Sequence, residues 1–222
     1  MFSVVYEDDN CLGIDKLLPV PSIRQGTSGG LSDDVILEYP TLARIPDFGF
    51  THRLDNETLG VILVAKNQNY YEKIRTLFSD KKMNKAYHAR VRGVVNGDEG
   101  LIEDPIAHSK KSIKKMLVIK PGYRIYRGEP RPAVTSWKVL SRRNESTDLE
   151  LKASTGVRHQ IRVHLQSIGH PICGDVLYSD YSEDYPSLML ISKTIMFKCP
   201  VTEKELRLTS TLNLDNMFNY MR

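Results

Sequence analysis

The sequence predicts an α+β fold built on a mainly antiparallel sheet, and three observations predict it. Most of the apolar patterning has strand period, only two or three stretches are helical, and strands do not alternate strictly with helices. The chain has 222 residues, 41% hydrophobic and 26% charged. That is long enough to bury a core, with the balance of an ordinary globular protein. No internal repeat or low-complexity tract interrupts it.

The elements follow in order. Phe2–Tyr6 reads as a short strand. Residues 19–30 (PVPSIRQGTSGG) are rich in Pro, Gly and Ser and read as a loop. Residues 60–66 (GVILVAK) form a continuous Val/Ile-rich run, as a buried strand does. Asn67 can then cap a helix whose apolar side is Tyr70, Tyr71, Ile74, Leu77 and Phe78. Residues 86–93 alternate, with Tyr87, Ala89 and Val91 on one face and His88, Arg90 and Arg92 on the other. Further strands are expected near 101–106, 115–119, 133–141, 147–153, 188–197 and 204–210. A second helix is expected over Arg158–Ile168, where Ile161, Leu165 and Ile168 share a side and Gly169 fits the C-terminal cap.

Composition narrows the function classes. No secretory leader pattern opens the chain, and no run of about 18 apolar residues suggests a membrane span. Cys11, Cys173 and Cys199 are far apart and form no C-x-x-C pair. That suits a reducing cytoplasm and argues against a disulfide framework or a cysteine zinc site. Net charge is only +4, but it is unevenly spread. Residues 1–50 hold eight acids against three bases, whereas 108–131 hold eight Lys or Arg and one acid, and 81–90 form another basic cluster. Such patches attract polyanions, RNA foremost; a solvated lysine-rich surface is the plain alternative.

Two segments carry candidate chemistry. In 51–67 (THRLDNETLGVILVAKN), Asp55 stands just before a buried strand, where it would be held rigidly near a cleft. Paired with arginines, such a carboxylate can attack a sugar anomeric carbon or act as a general base; a capping aspartate in a turn is the structural alternative. In 152–178, Arg158 and Arg162 are four apart, which would place both on one helical face, with His159 off it. A basic face at a helix start can hold an anion or a catalytic carboxylate, or can simply be solvated.

Taken together, HRLDNETLG…LVAK, then KAYHARVRG, then TGVRHQIRVHLQSIGHPICGD..Y, which ends on Tyr178, resemble the ribosomal large-subunit pseudouridine synthase A family. The opening residues 4–16 and the segment 188–202 resemble it too, so the likeness runs from about residue 2 to 202. The resemblance implies a mixed sheet bisected by a cleft, structured RNA (ribosomal or transfer) bound across it, and no cofactor. Asp55 matches the catalytic aspartate of the HRLD motif. Arg53 matches the arginine that can fill the space left by a flipped base, and Tyr87 the tyrosine that stacks on that base. Arg162 matches the arginine that pairs with the aspartate, and Arg158 is the remaining candidate for a substrate contact. A single catalytic domain over 1–222 without an S4-type module, a monomer, and a cytoplasmic location complete the expectation.

The chain departs from the family pattern at three places. Asp15-Lys16-Leu17-Leu18-Pro19 replaces Asn-Lys-Pro, Leu59 replaces a serine, and Val157 stands where an arginine is usual, with Arg158 next. Three rival readings remain. A non-catalytic RNA-binding protein could use the same fold. A metal hydrolase could use His159, His164 and His170, although their spacing is not H-E-x-x-H. A glycoside hydrolase would need a second carboxylate, for which Glu57 and Asp175 are the candidates.

Overall fold

The computed structural model describes residues 1–24, 26, 29–180 and 185–219. Along the chain run β1 (Phe2–Glu7), β2 (Cys11–Lys16), α1 (Leu31–Glu38), β3 (Leu59–Ala65), α2 (Gln68–Ser79), β4 (Asn84–Arg92) and β5 (Glu99–Ile102). There follow β6 (Ile106–Ser109), β7 (Met116–Val118), β8 (Tyr126–Arg131), β9 (Thr135–Arg142), β10 (Ser146–Ala153), α3 (Gln160–Ser167), β11 (Leu190–Lys198) and β12 (Glu205–Thr209). The chain divides into two compact units, one of residues 1–86 and 191–222, the other of 87–190.

In the first unit β1, β2 and β3 pair antiparallel in that order. β3 then pairs parallel with β11, Leu59 opposite Ile191, and β12 runs antiparallel along β11. Gly60 makes the parallel pairing possible. It has φ +103, and a Cβ there would lie 2.4 Å from the Ser192 carbonyl oxygen, so only glycine lets the strands approach. Every residue of β3 is buried, as its unbroken apolar run requires. Its neighbours in the core include Leu12, Ile14, Leu31, Val35, Phe50, Tyr70 and Ile74. The Asn67 side chain accepts from Tyr70 N at 2.9 Å, so it caps α2 as expected.

In the second unit the strand order is β4-β10-β9-β5, with β10–β9 and β9–β5 antiparallel. A separate three-stranded antiparallel sheet has the order β7-β6-β8. Ile106, Met116, Ala133, Val157 and Val163 form a small core between that sheet and α3. Val157 therefore fills an apolar slot in the position where the family pattern has an arginine.

The structure is α+β with a mixed, mainly antiparallel sheet, as predicted. Four details differ. α1 and β8 were not anticipated. The strand expected at 101–106 is two strands, β5 and β6, with 103–105 between them. α3 starts at Gln160, not Arg158, because His159 before it adopts a left-handed φ of 53°.

Candidate active site

Asp55 lies in a turn that its own unit holds almost entirely through the backbone. Thr51 starts the segment against β3: its N–H and hydroxyl both donate to the Leu63 carbonyl, at 3.2 and 2.8 Å. The Leu63 N–H donates in return to His52 Nε2 at 3.1 Å. An Nε2 that accepts leaves the proton on Nδ1, so His52 is neutral. Burial pushes its imidazole down to about 3, and the Lys85 and Arg75 cations push the same way. Two residues on, the Ser22 hydroxyl bridges both backbone groups of Leu54, donating to its carbonyl and accepting from its N–H, each at 3.1 Å. The Thr58 N–H closes the turn on the Asp55 carbonyl at 3.1 Å.

Lys16 completes the clamp. It ends β2, is wholly buried, and donates its ammonium to the carbonyls of Asp55 (2.9 Å) and Asn56 (2.6 Å). Burying an ammonium is costly unless it is hydrogen-bonded. Burial pushes it down to about 7, against the opposing pull of the Asp55 and Glu57 carboxylates. None of these contacts uses the Asp55 carboxylate. Arg53, two residues earlier, is exposed and pairs with none of the described residues.

Tyr87 lies on β4 and is half-buried. The other motif residues of the second unit surround the start of α3. Arg162 is inside the helix and 1% exposed. Its Nε and Nη2 donate to the two oxygens of Asp175, at 2.8 Å each. Its guanidinium carbon is 5.4 Å from the centre of the Tyr178 ring. Arg158 is exposed and precedes the helix, so it shares no helical face with Arg162. The reason is the left-handed His159 between the helix start and Arg158, which breaks the i, i+4 spacing.

The histidines weighed as metal ligands have separate partners. His159 Nδ1 meets the Tyr178 hydroxyl at 2.9 Å, and His170 Nδ1 meets the Arg92 carbonyl at 2.8 Å. His164 bridges the Thr135 hydroxyl (2.8 Å) and the Asp104 carbonyl (3.0 Å). Burial pushes its imidazole down, against the pull of that carbonyl. Gln160 ties the same strand to the preceding turn: its amide donates to Val134 O and Thr135 Oγ1, and its oxygen accepts from Thr155 Oγ1 and Val157 N. Asp175, weighed as a second carboxylate, is the buried partner of Arg162. Among the described residues no group of three His, Cys, Asp or Glu side chains gathers to hold a metal, and no helix is long and apolar enough to cross a membrane.

The basic segment 108–131 is not one patch. Lys110, Lys111, Lys114 and Lys115 are exposed on the turn between β6 and β7. Lys120 and Arg124 lie on the β7–β8 connection at the other end of those short strands, and Lys120 is paired with Asp104 at 2.6 Å. The four-lysine turn is therefore the concentrated part.

Lys16 and Ser22 escaped the sequence reading as site residues; Asp175 entered it only as a candidate second carboxylate, and Tyr178 only as the last residue of the third motif. A lysine closing a wholly buried strand, next to Asp15, was the available signal for Lys16. For Asp175 the signal was its place in the third motif, which gave it no partner.

Known proteins share these motifs and this fold. The family described as RNA pseudouridylate synthase matches residues 14–167, which include the Asp55 turn, Tyr87 and Arg162. An uncharacterized RNA pseudouridine synthase of Bacillus subtilis (strain 168) is 31% identical over 96% of this chain and 73% of its own length. One of Aquifex aeolicus (strain VF5) is 33% identical over 89% of this chain and 61% of its own. Ribosomal large subunit pseudouridine synthase D of Pseudomonas aeruginosa is 34% identical over 79% of this chain but only 52% of its own. The chain thus spans between about half and three-quarters of these relatives. Among solved structures, Human RNA Pseudouridylate Synthase Domain Containing 1 superposes with TM-score 0.77 and 26% identity, covering 96% of this chain and 84% of that one.

Proposed function

As the chain belongs to the RNA pseudouridine synthase family, we propose that it isomerises a specific uridine of structured RNA, ribosomal or transfer, to pseudouridine, acting as one catalytic domain over 1–222. The observation that carries this reading is the clamped turn: the residue matching the family's catalytic aspartate is held by Lys16, Ser22 and Thr58 through its backbone and its neighbours'. A group whose backbone is already fixed loses little freedom on reaching a transition state, which is how positioning lowers a barrier.

The reaction assigns each residue a task. The target uridine leaves its stack, at a cost of a few kcal/mol that is smallest in single-stranded loops. Arg53, exposed beside the turn, occupies the vacated space, and the Tyr87 ring holds the extruded base. The Asp55 carboxylate then attacks C1′ or removes the C2′ proton; in either route the N1–C1′ bond breaks. The uracil turns and C5 bonds to C1′ as the Asp55–C1′ bond breaks or, in the second route, as C2′ regains its proton; the hydrogen on C5 leaves as a proton to water, and N1 takes one up. Arg162 is assigned to the Asp55 carboxylate, the partnership of the matching arginine in the family, and Arg158 to a phosphate. No cofactor enters, because bonds made and broken balance within the nucleotide. A monomer working in the cytoplasm completes the proposal.

A non-catalytic RNA-binding protein is the second reading, and the clamp weighs against it: simple binding has no use for a carboxylate on a fixed turn. Both readings are separated by mapping carbodiimide-modified pseudouridines in ribosomal and transfer RNA of cells lacking this chain, complemented with native protein or Asp55→Asn. One position restored by the native protein alone identifies the substrate. No position restored by either favours the binding protein.

A further inference from the structure

We propose that Asp175 and Tyr178 are positioning residues for the reaction: they lock the Arg162 guanidinium in a single orientation, so that Arg162 acts by the direction of its remaining N–H groups and not by its net charge. The inference rests on the role proposed above for Arg162.

The lock is built from parts that leave the guanidinium little freedom. Arg162 and Asp175 side chains are 1% and 0% exposed, and their two hydrogen bonds engage Nε and Nη2 in the planar fork geometry that suits a carboxylate. A bidentate contact on that edge fixes rotation about the last side-chain bonds, which a single contact would not. Asp175 is itself immobilised. Its Oδ1 also accepts the N–H groups of Leu177 (3.0 Å) and Tyr178 (3.2 Å). Gly174 before it has φ +74, and a Cβ there would lie 2.0 Å from the Ser187 carbonyl oxygen, so the turn that delivers Asp175 is fixed by glycine.

Tyr178 supplies the second restraint. Its ring lies 5.4 Å from the guanidinium carbon, within reach of a cation–π contact. The ring is held by its hydroxyl, which accepts from Met116 N at 2.8 Å and bonds His159 Nδ1 at 2.9 Å. His159 immediately precedes α3, the helix that carries Arg162. The lock therefore closes on itself: helix start, tyrosine, guanidinium, aspartate, and back through the 175–178 turn.

The charges of the pair separate two ways in which Arg162 could act. The buried Asp175 carboxylate offsets the Arg162 cation, so at a distance the pair is neutral, and its effect on a third group comes from oriented N–H dipoles. If Arg162 served as a point charge, Asp175→Asn would unmask that charge and leave turnover unchanged or faster. If orientation is what matters, Asp175→Asn slows turnover, because its amide keeps one acceptor oxygen and sets an NH2 donor against the guanidinium where the second acceptor stood.

The test measures tritium release from RNA labelled at uracil C5, prepared from cells lacking this chain, as a function of RNA concentration. For Asp175→Asn and Tyr178→Leu the expectation is a fall in kcat of about 10–100-fold with KM within about twofold, as for a misplaced but still present group. Asp175→Glu should recover part of the loss. In an Arg162→Lys background, Asp175→Asn should cost less than about twofold more, since residues acting through one another are not additive. Nitrogen NMR of the Arg162 Nε–H should show slow rotation in the native protein and faster rotation in Tyr178→Leu, a readout that requires no Asp175 variant. Full additivity, unchanged kcat in Tyr178→Leu, or free rotation in the native protein would overturn the proposal. Unimpaired turnover by Arg162→Lys and Arg162→Met would instead remove the role proposed for Arg162 itself.

Discussion

The Asp55 turn and the Arg162 helix solve the same problem by opposite means. Both must hold one polar side chain still. In the first unit the backbone is held: Lys16, Ser22 and Thr58 grip carbonyls and amides around Asp55 by hydrogen bonds to main-chain atoms. In the second unit the side chain is held: Asp175 takes one edge of the Arg162 guanidinium in a fully buried ion pair. The difference teaches which residue can be changed without loosening the fold. A backbone clamp survives substitution of the residue it presents, whereas a side-chain clamp disappears with it.

The largest expected effect follows from that contrast. Arg162→Met leaves the buried Asp175 carboxylate without its cation and should cost about 3–5 kcal/mol in denaturant unfolding, the range for breaking a buried pair from one side. Asp55→Asn keeps the backbone hydrogen bonds that hold the turn and should cost clearly less than Arg162→Met. Equal losses in the two variants would break the comparison.

How much of this was legible in the sequence divides along the same line. β3, α2 with its Asn67 cap, and most of α3 were read correctly because each has a clear period and a boundary residue. β8 was missed because Gly128 and Pro130 give it the composition of a loop; it holds as a strand by pairing with β6. α1 was missed because two turns with Leu31 and Val35 buried show too little periodicity. Asp55, Tyr87 and Arg162 stand out in the sequence as candidates only through ordered motifs. Lys16 and Asp175 act on those residues across long stretches of chain or through a tertiary turn, and such contacts leave no local pattern. The expectation that Arg158 and Arg162 share a face failed on a single left-handed residue, His159.

A smaller effect sharpens the account of the Asp55 clamp through pH. His52 is neutral in the folded chain down to about 3, whereas an ordinary histidine titrates at 6.5. Between those values the unfolded chain binds the extra proton, so stability must fall as pH drops through that window, by at most about 1.4 kcal/mol per pH unit from this group. His52→Asn, which keeps an acceptor for Leu63 N–H without a basic nitrogen, should flatten that limb. Chemical unfolding between pH 6.5 and 4 checks it, and an unchanged slope would mean His52 is not the group responsible.

The smallest effect concerns affinity alone. Reversing Lys110, Lys111, Lys114 and Lys115 to glutamate, on the β6–β7 turn, should weaken RNA binding and flatten its salt dependence, by about 0.7–0.9 in log–log slope for each phosphate no longer neutralised. Stability should hold, since all four are exposed. Unchanged affinity and slope would take this turn off the RNA path, leaving the Asp55 clamp untouched.

The most direct measurement of the central claim is tritium release from C5-labelled RNA by native protein and by Asp55→Asn. Forming the C5–C1′ bond must expel that hydrogen. Release by the native chain is expected, and at least about a thousandfold less by Asp55→Asn, a loss of roughly 4 kcal/mol in transition-state stabilisation, with both proteins folded. Undiminished release by Asp55→Asn would contradict that claim.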